Sequence, residues 1–279
     1  MKRQLIVTDL DGTLLNANHE IDPFDRDWID WFQKNNGLFT VATGRMNASV
    51  RLLLEQFDVT LPIITYNGAQ IYLPRENKLL YEKSFQPSKL MLEQLIILAR
   101  TFAEVLFFSN DHVYTITRGK QIEAFEKKEK VICTVVAVEQ IPLNVTKMII
   151  MSEEISLLTQ FEEKLIRLFP SANIVYSEPN YLEILPEDVS KGTALNWLKE
   201  DFSLQDRHTA AFGNHLNDMP LLQAADIGIA VNNADKRLLR VADDVSSYTN
   251  NEGAVGHYVE QLFIQIGQKT GRELNEYIT

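Results

Sequence analysis

Short apolar runs rich in β-branched residues, each followed by a longer amphipathic stretch, open this chain and return near its end. "QLIVT" leads into a helical pattern at 23–36, "GLFTVA" into another near 46–57, and "LPIITY" follows. Late in the chain a helix over about 191–201 gives way to "HTAAFG", a helix near 216–224, "IGIAV" and a C-terminal helix. Strands separated by helices pair in parallel through crossover connections, so the rhythm predicts an α/β fold built on a parallel sheet. Residues 84–187 break it. Strand candidates crowd together there ("EVLFFS", "HVYTIT", "VICTVVAV", "VTKMIIM", "ANIVYS", "YLEIL"), with helical patterns at about 87–102 and 153–169. An α+β insertion is the economical reading, with joints near "KSFQPS" and "LPEDVSK", where prolines and polar residues punctuate the pattern.

A chain of 279 residues is long for one core and comfortable for two units. The expected division is a first unit made of 1–83 and 188–279 and a second made of 84–187. A net charge of −11 disfavours a nucleic-acid partner, whose phosphates require clustered Lys and Arg. The single cysteine, Cys133, excludes an internal disulfide and a thiolate metal cluster, and "KVICTVVAV" reads as a buried strand. Asp9 and Asp11 interrupt the N-terminal apolar run before a signal-peptide core forms, and no run approaches the ~20 apolar residues of a membrane helix. A soluble cytoplasmic protein, monomeric or weakly dimeric, is expected.

Several familiar signatures fail. "HEIDP" begins like a zinc-protease helix but has Pro23 in place of the second histidine. "DLDGTLLNANHE" carries acids at EF-hand spacing, but Gly12 comes too early and a strand precedes it. What remains is four short segments. In "VTDLDGTL", Asp9 and Asp11 stand on the same side of the chain at a strand end, where open α/β sheets place their ligands, and their mutual repulsion favours a proton on one of them. In "VATGR", Thr43 offers a hydroxyl and Gly44 permits close approach of an anion. In "VSKGTALNWL", Ser190 suits an N-cap, but Lys191 opposes the helix dipole and Gly192 costs backbone entropy, which points to a job outside the helix. In "FGNHLNDM", Asn214 and Asp218 bracket a turn after a strand. Each alone also reads as a plain turn, cap or solvated charge. Together they converge on one edge of one sheet.

Taken in order, these segments resemble the haloacid dehalogenase-like hydrolases of the Cof type: "DLDGTL", "TGR", "LEILPEDVSKG" and "GNHLNDMPLL" match the four family motifs, and "YNGAQIY" and "IAVNNA…TNNEG" match further landmarks. The resemblance covers essentially the whole chain. It implies a Rossmann-like core with a mobile α+β cap that sets specificity, and Mg²⁺-dependent phosphatase activity on small phosphorylated metabolites. By the same resemblance, Asp9 is nucleophile and metal ligand, and Asp11 is acid/base with its carbonyl on the metal. Thr43 and Lys191 hold phosphate, with Leu10, Gly44, Arg45 and Asn217 as further phosphate-binding positions, and Asp218 is an acidic partner of the metal. Asn214 departs, since the family usually has a metal-binding aspartate there. Asn232 likewise replaces a usual glycine. A phosphomutase of the same fold and a non-catalytic phosphometabolite-binding protein are the alternatives. Loss of Lys191 is expected to damage chemistry more than folding.

Overall fold

A computed structural model describes residues 4–54, 59–99 and 103–270. Five parallel strands form the core sheet, in the order Asp244–Val245, Ile227–Ala230, His208–Gly213, Gln4–Thr8, Leu38–Val41. Alternation along each strand feeds two apolar layers. Ile6, Ala210 and Phe212 face the helices Pro23–Lys34 and Ala254–Thr270, packing on Ile29, Phe32, Val255 and Val259. Leu5, Val7 and Ala211 face Ala194, Leu195 and Leu198 of the helix Lys191–Asp201 and Leu221 and Leu222 of the helix Met219–Ala224. With both faces covered, the sheet is the doubly wound, Rossmann-like arrangement the rhythm called for.

The run "LPIITY" contributes differently from expectation. Ile63–Thr65 packs into both apolar layers but is bridged to the end of the core sheet by a single parallel pair, Ala42 and Ile64, and it begins a separate three-stranded antiparallel sheet with Gln70–Leu73 and Lys78–Glu82. The last of these strands is exposed along much of its length, so it carries no apolar alternation to announce it.

Inserted between the halves is a six-stranded sheet in the order Asn173–Glu178, Tyr181–Leu185, Lys147–Met151, Glu104–Ser109, His112–Thr115, Cys133–Val135. Helices Lys89–Ala99 and Ile155–Leu168 cover one face through Leu92, Leu95, Leu158 and Leu165. The other face, with Leu106, Phe108, Ile149 and Met151, packs on Met46, Tyr66 and Ala69. "VICTVVAV" is a strand only over Cys133–Val135, followed by a 3₁₀ turn at Val138–Gln140, because this edge strand pairs on one side alone; Cys133 is buried as expected. The helix Lys120–Glu129 was not anticipated, since its charged residues leave only Ile122 and Phe125 as apolar contacts to mark its buried face. The expected helix ends beyond Leu54 and Ala99 fall largely outside the described residues.

One buried acid belongs to the framework rather than the site. Asp25 accepts the N–H of Gly256 (2.5 Å), while its Oδ2 is buried without a partner among the described residues. Burial pushes its carboxyl up to about 7, against the opposing backbone hydrogen bond from Gly256. The folded state therefore holds a proton that the unfolded chain releases near 3.8. That contribution to stability is complete below the unfolded value and is lost as pH rises through about 7. Asp25→Asn keeps an acceptor for Gly256 and removes the titration. Its melting temperature relative to the native protein should rise as pH is raised through this window; a difference independent of pH would show that Asp25 does not hold the proton.

Candidate active site

Register sets the site. Thr8 pairs with Phe212 on one side and Val41 on the other, so the residues that follow these strand ends emerge level with one another. Asp9 N–H donates to the Phe212 carbonyl (3.0 Å), Ala42 N–H to the Thr8 carbonyl (2.9 Å) and Thr43 N–H to the Ile64 carbonyl (2.9 Å). Asp9, Thr43 and Asn214 thus share the C-terminal edge of the sheet.

Lys191 lies beneath this edge with 0 % of its surface exposed. Its Nζ donates to Asp9 Oδ1 and to Asp218 Oδ1, each at 2.6 Å. The other Asp218 oxygen accepts the backbone N–H groups of Asn214 (2.8 Å) and His215 (3.0 Å), so this buried carboxylate shapes the turn as well as holding the lysine. Ser190 caps the helix as expected, accepting the Thr193 N–H (3.0 Å). Gly192 has a packing explanation: a Cβ there would lie 2.1 Å from the Pro220 carbonyl oxygen. Burial and the charge of Asp218 push the Asp9 carboxyl up to about 7 against the pull of Lys191. Lys191 is held above the ordinary lysine range because Asp218 and Asp9 outweigh its desolvation.

Asp11 sits in the opposite electrostatic setting. Arg45 clamps it bidentately, Nε to Oδ2 at 2.7 Å and Nη2 to Oδ1 at 2.6 Å, with His19 Nδ1 3.4 Å away. Burial alone would raise its pKa, but the hydrogen bonds of Arg45 and His19 hold it well below the usual carboxylate range. Arg45 is buried rather than exposed, and its Nη1 donates to Ser49, which in turn donates to Glu129 of the inserted unit (3.1 and 2.7 Å).

A cavity with about 470 Å³ of empty space, part of it open to solvent, is lined by Asp9, Asp11, Thr43, Gly44 and Asn217 from the core and by Glu129, Lys147, Ser177 and Glu183 from the insertion. Lys191, Asp218 and Asn214 stand behind this wall. Leu10 contributes only backbone, because its side chain belongs to the apolar core.

Three contributions were not read from the sequence. Thr13 Oγ1 stands 3.3 Å from Asp9 Oδ2 and 3.2 Å from Asn214 Oδ1. The late asparagines brace the loop after Asp9: Asn233 donates to the Gly12 carbonyl (2.9 Å), Asn250 to the Leu15 carbonyl (2.7 Å), and Asn251 accepts from Ala17 N–H (2.8 Å). Asn67, in left-handed backbone, touches Asn217 and Glu183. Only the family landmarks around these asparagines hinted at a role. Asn232 is not among the residues with positive φ, so it sits in this loop without backbone strain.

No three His, Cys, Asp or Glu side chains among the described residues are grouped to hold a metal ion. A cation at this edge would therefore be met by the Asp9 carboxylate, the Asn214 amide oxygen and the Asp11 main-chain carbonyl. All are oxygen donors, the kind a hard divalent ion takes, and Thr13 brings the first two together. The donor set fits Mg²⁺, with less charge than an aspartate at 214 would give.

The sequence pattern of the haloacid dehalogenase-like hydrolases matches residues 6–259. A putative phosphatase of Bacillus subtilis, YxeH, is 27% identical over 277 residues, covering 94% of this chain and 98% of its own. A haloacid dehalogenase-like hydrolase from Bacteroides thetaiotaomicron superposes with a TM-score of 0.80 at 26% identity, covering 94% of this chain and 100% of the other. The subclass IIB sugar phosphatase BT4131 shares the fold, with a TM-score of 0.81 at 17% identity over 94% of this chain and 99% of its own. The chain belongs to the haloacid dehalogenase-like hydrolase family, and its α/β core with an inserted unit is the fold of those structures. Among the described residues no helix is long and apolar enough to cross a membrane.

The burial of Lys191 means that its removal should cost stability as well as chemistry. Lys191→Ala leaves two buried carboxylates without their shared cation, a loss of about 3–5 kcal/mol. Thermal melting should show a deficit that shrinks as pH falls through about 7 and Asp9 takes up a proton. A native melting temperature at neutral pH would mean that the acids do not depend on Lys191.

Proposed function

We propose that this hydrolase is a Mg²⁺-dependent phosphatase of small phosphorylated metabolites, sugar phosphates foremost, working through an aspartyl-phosphate on Asp9. The carrying observation is the placement of Asp9: a carboxylate at a strand end, on the wall of a partly open cavity, beside Thr43, Gly44 and Asn217 and backed by Lys191. Residues 1–83 and 188–279 act as the catalytic core and 84–187 as the cap. The cap lines the cavity with polar groups, Lys147, Ser177 and Glu183, beside the rings of Phe108, Phe125 and Tyr181, a mixture that suits the hydroxyls and the apolar face of a sugar.

Bound Mg²⁺ would neutralise charge on the transferring phosphoryl group. Asp9 attacks phosphorus in line; its O–P bond forms as the ester P–O bond breaks, and the leaving oxygen takes a proton from Asp11. Water, deprotonated by Asp11, then releases phosphate and restores Asp9. The clamp of Arg45 keeps Asp11 ionised, the form needed for the second step, so proton donation in the first requires Arg45 to move off it. A phosphate in the cavity gives Arg45 an alternative anion. Thr43 and the Asn217 amide hold the phosphoryl oxygens, Lys191 fixes and neutralises Asp9 from below, and the seated cap keeps bulk water from the intermediate.

Purified protein should hydrolyse an aryl or sugar phosphate with added Mg²⁺, lose that turnover in excess chelator, and lose it altogether in Asp9→Asn. Turnover that survives chelation removes the metal from the reading, and turnover that survives Asp9→Asn removes the nucleophile.

The amide at 214 supports a second reading, a phosphometabolite-binding protein with a decayed metal site. Asn214→Asp separates the two. For an enzyme with a weak site, the native protein is active at high Mg²⁺ and the variant reaches half-maximal activity at about 10-fold lower Mg²⁺. Activity that exists only in the variant would establish the binding protein instead.

A further inference from the structure

A chain of side chains runs from the cap to the wall of the phosphate cavity. Lys147 and Glu183, on neighbouring cap strands and nearly without exposed surface, pair at 3.2 Å. Lys147 also donates to the Gly44 carbonyl (2.6 Å), and Ser177 donates to Glu183 Oε1 (2.6 Å). Asn67 crosses from the core, donating its Nδ2 to Glu183 Oε2 (2.8 Å). Its Oδ1 accepts from Asn217 Nδ2 (3.0 Å), and Asn217 ends the chain at the cavity. There the Asn217 Oδ1 is buried without a partner among the described residues.

The direction of every bond follows from one end. An ionised carboxylate only accepts, so Asn67 must turn its NH₂ to Glu183 and its carbonyl to Asn217. Asn217 must answer with its own NH₂. A buried carbonyl without a partner is an arrangement that side chains avoid, and a half-turn of the Asn217 amide would relieve it. That half-turn is blocked, because it sets two carbonyl oxygens against each other. Asn67 is itself held for the task in left-handed backbone (φ 55°, ψ 29°), between Tyr66 (φ 50°) and Gly68 (φ 100°). A Cβ on Gly68 would lie 2.1 Å from the Ser190 carbonyl oxygen, so the turn is pressed against the residue before Lys191.

We propose that Glu183, acting through Asn67, fixes the Asn217 amide with its NH₂ toward the phosphate site, which makes Glu183 and Asn67 positioning residues for anion binding. The inference rests on Asn217 as a phosphate contact. The amide has two hydrogens on Nδ2; one goes to Asn67 and the other serves the anion. Since Glu183 belongs to the cap and Asn67 and Asn217 to the core, the anion site has its donor set in order only while the cap is seated.

Glu183→Gln tests the relay directly. Lys147 and Ser177 claim the remaining oxygen of the glutamine, so its NH₂ falls to Asn67 and the chain reverses, turning the Asn217 carbonyl toward Asn67. Calorimetric titration with inorganic phosphate should show affinity about 10-fold weaker in Asn217→Ala and about 3- to 10-fold weaker in Glu183→Gln, with the double variant no weaker than Asn217→Ala alone. Native affinity in Asn217→Ala would remove the phosphate contact and the relay with it. Native affinity in Glu183→Gln, or losses that multiply in the double variant, would overturn the relay while leaving the contact standing. Should Glu183→Gln fail to fold, Asn67→Gly carries the same cycle, because glycine keeps the left-handed backbone and deletes the amide; the same outcomes decide.

Discussion

An ammonium with no exposed surface can remain charged only where carboxylates surround it, and Lys191 is such a group. Its two hydrogen bonds tie three separate pieces of chain together: the end of the first strand at Asp9, the start of the helix at residue 191, and the turn at Asp218. A cation in the first turn of a helix opposes the macrodipole, and two acids within 2.6 Å more than offset that. The rest of the arrangement serves this meeting. Gly192 lets the helix press against Pro220, and Gly213 is equally confined, since a Cβ there would lie 2.4 Å from the Cβ of Asp218. Neither glycine is there for flexibility; each makes room for the charged triad.

The triad fixes Asp9 in depth, and the sheet fixes it in height. Because Thr8 is level with both Val41 and Phe212, Asp9, the Thr43 loop and the Asn214 turn leave the sheet in one plane, a few ångströms from each other across neighbouring strands. The loop after Asp9 is anchored inward by Leu14 and Leu15 in the apolar core. Asn233, Asn250 and Asn251 add direct bonds to its backbone at residues 12, 15 and 17, so a segment more than 200 residues away in sequence helps set the shape of this loop.

The contrast between what the sequence carried and what it hid follows the range of the forces involved. The core strands and most helices were legible because their apolar periodicity is local, and the four motif segments were legible because each follows or opens an element of one sheet. The antiparallel strands Gln70–Leu73 and Lys78–Glu82 were not, since the first is short and buried almost throughout and the second is largely exposed, so neither alternates. Lys191 was legible as a misfit at a helix start, but its burial between two acids was not, because neither acid is near it in sequence. Arg45 shows the same limit: beside Thr43 and Gly44 it reads as a phosphate ligand or an exposed cation, and only the fold turns it onto Asp11 and toward Glu129. The asparagine relay was the least visible, for it depends on which end of each amide faces its neighbour, a choice dictated by Glu183 from another unit.

Asn214 fits this electrostatic picture better than an aspartate would in the absence of a cation. Asp9 and Asp218 share the single charge of Lys191, Asp11 is taken up by Arg45 and His19, and Asp9 is pushed up to about 7 by burial and by Asp218. A further carboxylate at 214, within reach of Thr13 and so of Asp9, would add repulsion with no counter-charge and drive Asp9 further toward its neutral form. The amide removes that repulsion and keeps an oxygen that a divalent ion would accept, with weaker attraction than a carboxylate would have. The charge on Asp9 accordingly rests on Lys191, which is why the lysine, rather than the residue at 214, is the point on which the site's charge balance turns.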